Sequence, residues 1–280
     1  KLINDDSTGA INMSSVTTIT SSSISDVLEI VQNTGAAFTT ANNYSVTISD
    51  TSASAANIKL INDDSTGAIN MSSVTTITSS SASDVLEIVN NTNAAFTTAS
   101  DYSVTLSGTV SAANANTIMN DTTGIVTATV TATGVVSSLN SALSNASSSD
   151  ALTLVLDATS ASASDLNTLN TKTSVNINAA SITNITSSTA DEVNTMVTNK
   201  TAIGLDDDWN VILSDTSLSA AEVKTINAGT SGTINISLAT TITNSSASDV
   251  LEIVNNTGSQ FTTASDYSVT LSGTVSAANA

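Results

Sequence analysis

Residues 67–91 read GAINMSSVTTITSSSASDVLEIVNN, and the fold turns on how this stretch is read. Ile69 and Met71 alternate with polar neighbours, the period of a short strand with one buried face. Ser72-Ser73 turn the chain, and Val74 and Ile77 follow three apart. Beyond Thr78 the period changes to that of a helix. Ser81 or Ser83 can cap its start. Asp84 and Glu87 have capping-box spacing and sit in the first turn, where the helix dipole favours acid. Val85, Ile88 and Val89 form one apolar stripe, and Asn90-Asn91 end it. A helix of about two turns is marginal alone in water, so it must lean on neighbours.

The phrase recurs. SSVTTITSSS stands at 14–23 and again at 72–81, and SLATTITNSS stands at 237–246. Aligned on SDVLEIV, the chain has anchors at Asp26, Asn57, Asp84, Asn114, Ser138, Asp165, Glu192, Glu222 and Asp249, spaced 24 to 31 residues apart. Two kinds of segment alternate, one built on AINMSSVTTIT (Ala68–Thr78) and one on DYSVTLS (Asp101–Ser107). The most diverged copy is GIVTATVTATGVV (Gly124–Val136). A period in this range predicts a solenoid. The expected fold is a repeat solenoid of strand–helix α/β coils of 24–31 residues, loosely like leucine-rich repeats, with a pure β-solenoid as the alternative. Stacked coils place equivalent residues about 4.8 Å apart, which explains why VTTIT returns: Val over Val and Ile over Ile build a core, and Thr over Thr an outward ladder. Asn279 continues the series, and the passage from residue 280 back to residue 1 stays in phase. The reading is one continuous solenoid of ten coils over 1–280, either a slice of a longer tandem array or a unit that stacks head to tail.

Composition narrows the partners. The chain has 49 Ser and 48 Thr, no Cys, Pro or His, and a net charge of −19 with five Lys as its only basic residues. Nucleic acid needs a basic footprint and an anionic membrane surface a basic patch; this chain has neither. Without cysteine there is no disulfide framework and no thiol chemistry. No stretch of 18 apolar residues predicts membrane insertion.

The linkers TASDYSVTLSGTVSAANANTI (98–118) and AIGLDDDWNVILSDTSLSAAEVKTI (202–226), together with the recurring TTIT-SDV texture, resemble giant tandem-repeat cell-surface and secreted proteins of marine bacteria. Among these are the motility-associated surface repeat proteins of marine cyanobacteria. The resemblance covers essentially the whole chain and implies a secreted or surface-anchored, non-enzymatic protein. It carries over no functional residues.

Catalysis by His is excluded. Lys1, Lys59 and Lys224 hold one repeat position, as do Glu29, Glu87 and Glu252. A group copied along a rod reads as structure, so no enzyme is expected. Clustered hard oxygen ligands can hold calcium. Three turns offer them: Asp5 and Asp6 in one copy of NDD, Asp63 and Asp64 in the other, and Asp206, Asp207 and Asp208 in LDDDW, with Asp215 nearby. The competing reading is a solvated acidic turn that keeps the molecule soluble. Beyond such Ca²⁺, no cofactor is expected. Phe38, Phe96 and Phe261 with Tyr44, Tyr102 and Tyr267 are again two positions in three copies. Trp209 stands alone; core or seam packing is one reading of these aromatics, Trp209 included, and the other makes Trp209 the candidate for binding a polysaccharide or cell surface. Sequons such as Asn12, Asn70 and Asn235 follow from the Ser/Thr/Asn-rich alphabet and are discounted.

The expected function is therefore structural: a segment of an extracellular filament or giant surface protein whose partner is itself. The alternative is an adhesin-type binding module that uses one solenoid face, with ice binding on the threonine arrays as a minor reading.

Overall fold

Strand and helix alternate along the chain, and a helix between strands supplies the crossover that parallel neighbours need. The computed structural model describes residues 2–6, 8–33, 37–91 and 95–278. Neighbouring strands in each of the sheets set out below pair in parallel. The sheets are open, without a closed barrel. The chain forms two compact units, Lys1–Thr131 with Ser149–Leu152, and Ala132–Ser148 with Thr153–Ala280.

In the first unit Ile11–Met13 pairs with Phe38–Thr40. Thr18–Ser22, Ser45–Ile48, Ile69–Met71 and Phe96–Thr98 follow one another in a second sheet. Ser52–Ala53, Thr76–Ser81, Ser103–Ser111 and Val126–Ala132 follow one another in a third. Helices Ile24–Gln32, Ala55–Asp64, Ala82–Asn91 and Ala112–Asp121 pack in a row, each against the next. The second unit repeats the arrangement. Ser160–Ala161, Asn184–Ser188, Asn210–Leu213, Ile234–Ile236 and Phe261–Thr263 form one sheet, and Ser217–Leu218, Thr241–Ser245 and Ser268–Leu271 another. Its helices Val136–Ala142, Ala163–Asn170, Ala190–Thr198, Ala220–Gly229 and Ala247–Asn256 again pack in sequence order. These helices overturn the pure β alternative. Lys1 and Asn279, both used in the sequence alignment, lie outside the described residues.

The stretch 67–91 divides as its periods predict. Ile69–Met71 and Thr76–Ser81 are strands, with Ile69, Met71, Val74 and Ile77 buried. Ala82–Asn91 is helical and buries Val85 and Ile88. Ser81, rather than Ser83, caps it by accepting the Asp84 N–H at 3.2 Å. Its ten residues exceed the length read from the sequence. Inward residues meet like residues across the pairing: Ile69 lies beside Phe96 and Val46, and Ile77 beside Val104 and Ala53.

The corner from strand to helix is built the same way before four helices, those starting at Ile24, Ala82, Ala190 and Ala247. Ser21, Ser79, Ser187 and Asn244 take positive φ values of 46°, 25°, 42° and 48°. Side chains there lie in the left-handed region that non-glycine residues visit rarely. The ladder slips register at the same place. The twist turns the next serine inward. Ser80, Ser188 and Ser245 are buried, and each Oγ accepts the first N–H of the helix one segment earlier, 25 residues back: Ala55, Ala163 and Ala220, all at 2.8 Å. Aspartates do the same elsewhere, Asp50 for the Ile24 N–H at 2.7 Å and Asp215 for the Ala190 N–H at 2.8 Å. These five helices thus satisfy one of their orphan donors with a side chain of the following segment.

Candidate functional site

The acidic turns read as calcium ligands are already engaged with the protein. Lys59 reaches Asp63 at 3.2 Å, one turn along its own helix, and Glu87 on the next helix at 2.9 Å. Asp64 ends helix Ala55–Asp64 and accepts the Tyr44 hydroxyl at 2.6 Å. The two carboxylates of one NDD turn therefore serve different partners. In LDDDW, Asp206, Asp207 and Asp208 are exposed. Asp207 is ion-paired to Lys200, whose Nζ also caps the Gly229 carbonyl at 2.8 Å. Asp215 caps helix Ala190–Thr198. Among the described residues, no three carboxylates are brought together as a metal-ligand set.

Trp209 corrects the sequence reading. It is fully buried, so its ring offers no face to a sugar. The reason lies in its place in the fold. Tyr44, Tyr102 and Trp209 occupy one structural position. The carbonyl of each accepts a hydroxyl from the segment that follows: Ser65 at 2.6 Å, Thr122 at 2.5 Å and Thr230 at 2.5 Å. Gly67, Gly124 and Gly232, two residues beyond each hydroxyl, press against those same carbonyls so closely that a Cβ would collide with them. The aromatic side chain is locked beneath the next strand. A usable signal existed in the triplets STG, TTG and TSG at 65–67, 122–124 and 230–232, each about twenty residues after an aromatic.

The polar ends of these aromatics differ. Tyr44 donates to Asp64 and Tyr102 to Asp121, both at 2.6 Å. Burial, then the hydrogen bond to the carboxylate, then its negative charge hold both phenols neutral far above their ordinary range. Beside Trp209 the residue before the hydroxyl is Gly229 in place of an aspartate, and the indole Nε1 is buried without a partner. The larger ring stands where the chain has given up the carboxylate.

Across the outer row of helices the links are also between successive segments. Lys224 reaches Asp249 at 2.8 Å, raising the lysine's pKa and holding Asp249 below the usual carboxylate range. Glu87, through its hydrogen bond, raises Lys59 likewise. Asn140 and Asn167 donate from Nδ2 to the carbonyls of Asp165 and Glu192 at 2.9 Å, and Asn62 and Asn227 to the carboxylates of Glu87 and Glu252. The repeated Lys and Glu positions join one helix to the next.

Comparison of the chain with protein-family models, with curated proteins and with solved structures returned no match. Among the described residues no helix is long and apolar enough to cross a membrane.

Proposed function

We propose that this chain is a structural, non-enzymatic segment of an extracellular filament or giant cell-surface protein, folded as a strand–helix solenoid of coils of 24–31 residues. The observation that supports this reading most directly is the use made of its polar residues. Serines, aspartates, lysines and asparagines that a binding protein would aim outward are spent on caps and bridges between a segment and the next, repeatedly with a 25-residue offset. In such an architecture each coil is stabilised by its neighbours, and length grows by copying coils. Hydroxyl-rich outer strands and an acidic surface suit a molecule that stays soluble outside the cell. The resemblance of the linkers to marine bacterial surface repeat proteins points the same way. With Trp209 inside, the adhesin reading loses the residue that carried it.

The test is immunolabelling of intact, unfixed cells that make the protein, paired with mild protease treatment of their surface. External label that the protease removes is the expected result. Label that appears only after lysis would overturn the extracellular structural role.

A further inference from the structure

Among the described residues, five buried side-chain atoms have no hydrogen-bond partner: Oδ1 of Asn140, Asn167, Asn194 and Asn227, and Nε1 of Trp209. All five fall in the second compact unit, Ala132–Ser148 with Thr153–Ala280. Such an atom gives up its bonds to water on folding and regains none inside the protein. The low dielectric of the interior makes that loss larger.

The first unit fills the same positions differently. Asn140, Asn167 and Asn194 stand two residues after the anchors Ser138, Asp165 and Glu192, one to a segment. The first unit has Leu28, Lys59, Leu86 and Asn116 there. A leucine has no polar atom to strand, and Lys59 holds Asp63 and Glu87. In the second unit the asparagine amides are committed at one end. Nδ2 of Asn140 and Asn167 reaches a carbonyl of the next helix at 2.9 Å, and Nδ2 of Asn227 reaches the Glu252 carboxylate at 3.0 Å. That bond fixes the amide and leaves its oxygen without a donor. The aromatic position shows the same contrast. Tyr44 and Tyr102 in the first unit donate to Asp64 and Asp121 at 2.6 Å, whereas the Trp209 indole in the second has no acceptor.

From this distribution we infer that the second unit is the part of the molecule that yields first: under load or denaturant it opens as one body while the first unit stays folded. The inference rests on the structural role proposed above, which gives it a use. A filament segment that opens one unit lengthens under tension without parting. Repeat architecture permits this, because each segment is stabilised by its neighbours alone and a local deficit stays local. All-or-none unfolding is accordingly lost, and the weaker region opens as a cooperative body of its own.

Trp209 is the single tryptophan of the chain and lies in the yielding unit, so its fluorescence reports that unit. On titration of the full chain with urea, the fluorescence change should be complete while part of the helical circular dichroism remains. A second dichroism step should follow with no further change in fluorescence. Hydrogen exchange read by mass spectrometry assigns the steps. Peptides within 163–229 should exchange together at low urea, with peptides within 45–90 still protected. Coincidence of all probes in one transition, or earlier exchange within 45–90, overturns the inference. Two variants test the cause. Asn167→Leu, which copies Leu28 and Leu86, should move the fluorescence midpoint to higher urea and leave the later step in place. Ile88→Ala, in the first unit, should lower the later step and leave the fluorescence midpoint in place. An Asn167→Leu chain whose fluorescence midpoint falls, or whose two steps shift equally, overturns the role given to the unpaired atoms. Cell-surface labelling is independent of these outcomes: external label with a single coincident transition rejects the yielding unit alone, and internal label with two ordered steps rejects the structural role alone.

Discussion

Gly67 shows how much a single position carries. A methyl group there would collide with the carbonyl oxygen of Tyr44, on the backbone of the preceding segment, where nothing can move aside cheaply. Gly67→Ala should therefore destabilise the protein by on the order of 3 kcal/mol, read as a fall in the urea midpoint. Ser80 makes a different point. It is 3% exposed, and its Oγ both accepts the Ala55 N–H and donates to the Thr78 carbonyl at 2.7 Å. Ser80→Ala leaves the buried Ala55 N–H unpaired, at about 1–3 kcal/mol for such a loss. Ser81→Ala, which removes an ordinary cap of the helix that follows, should cost about 1 kcal/mol. If Ser81→Ala proves the more damaging of the two in thermal melts, the tie between segments matters less than the local cap. Trp209 belongs to this scale as well. The sequence offered it as a surface residue because it is unique, and uniqueness suggests a special task. Its backbone carbonyl and the Thr230 hydroxyl reveal an ordinary task, shared with Tyr44 and Tyr102.

At the scale of the element, the helices are too short to stand alone, and their stability comes from the row they form. Helix Ala82–Asn91 has one acid, Asp84, in its first turn and no base in its last, so the dipole is answered at one end only. What holds it is Val85 and Ile88 on the inside and Glu87, bridged by Lys59, on the outside. These contributions are unequal. The ion pair is exposed and worth little, so Lys59→Ala should change stability by less than about 1 kcal/mol. Ile88→Ala opens a fully covered site and should cost about 2–5 kcal/mol. The pair of variants, compared by chemical denaturation, tests whether buried contact rather than charge fixes the helix to its sheet. This helix was legible in the sequence down to its stripe and its final asparagines. Its cap was readable only as one of two serines, because choosing between Ser81 and Ser83 requires knowing where the preceding strand releases the chain.

At the scale of the whole molecule, the two tyrosine–aspartate pairs set the response to alkali. Tyr44 and Tyr102 have pKa values raised by burial and by their carboxylate partners. A raised folded pKa gives stability that is complete below the unfolded phenol's pKa of about 10 and is lost progressively as pH rises above it. Lys59 and Lys224, raised by their acidic partners, act in the same direction. The protein should thus lose stability steeply above about pH 10, and phenolate absorbance from Tyr44 and Tyr102 should emerge together with unfolding rather than before it. The double variant Tyr44→Phe with Tyr102→Phe should flatten that limb. A phenolate signal that develops fully while the circular dichroism stays native would contradict the buried pairs. In acid the exposed Lys224–Asp249 pair is lost as pH falls below the ordinary carboxylate range, with a small effect because water screens it.

The alternation of strand and helix, the inward set of Ile69, Met71, Val74, Ile77, Val85 and Ile88, and the large excess of acid over base were all determined by the sequence by itself. Each is a matter of local period or of composition, and neighbours along the chain suffice to settle it. Only the tertiary structure decided where Asp64, Asp207, Asp215 and Trp209 go, and that Ser80, Ser188 and Ser245 turn inward at a left-handed corner. Those outcomes depend on which segment lies on which, and in what register. That information resides in pairings between residues some 25 positions apart, where no local period reaches.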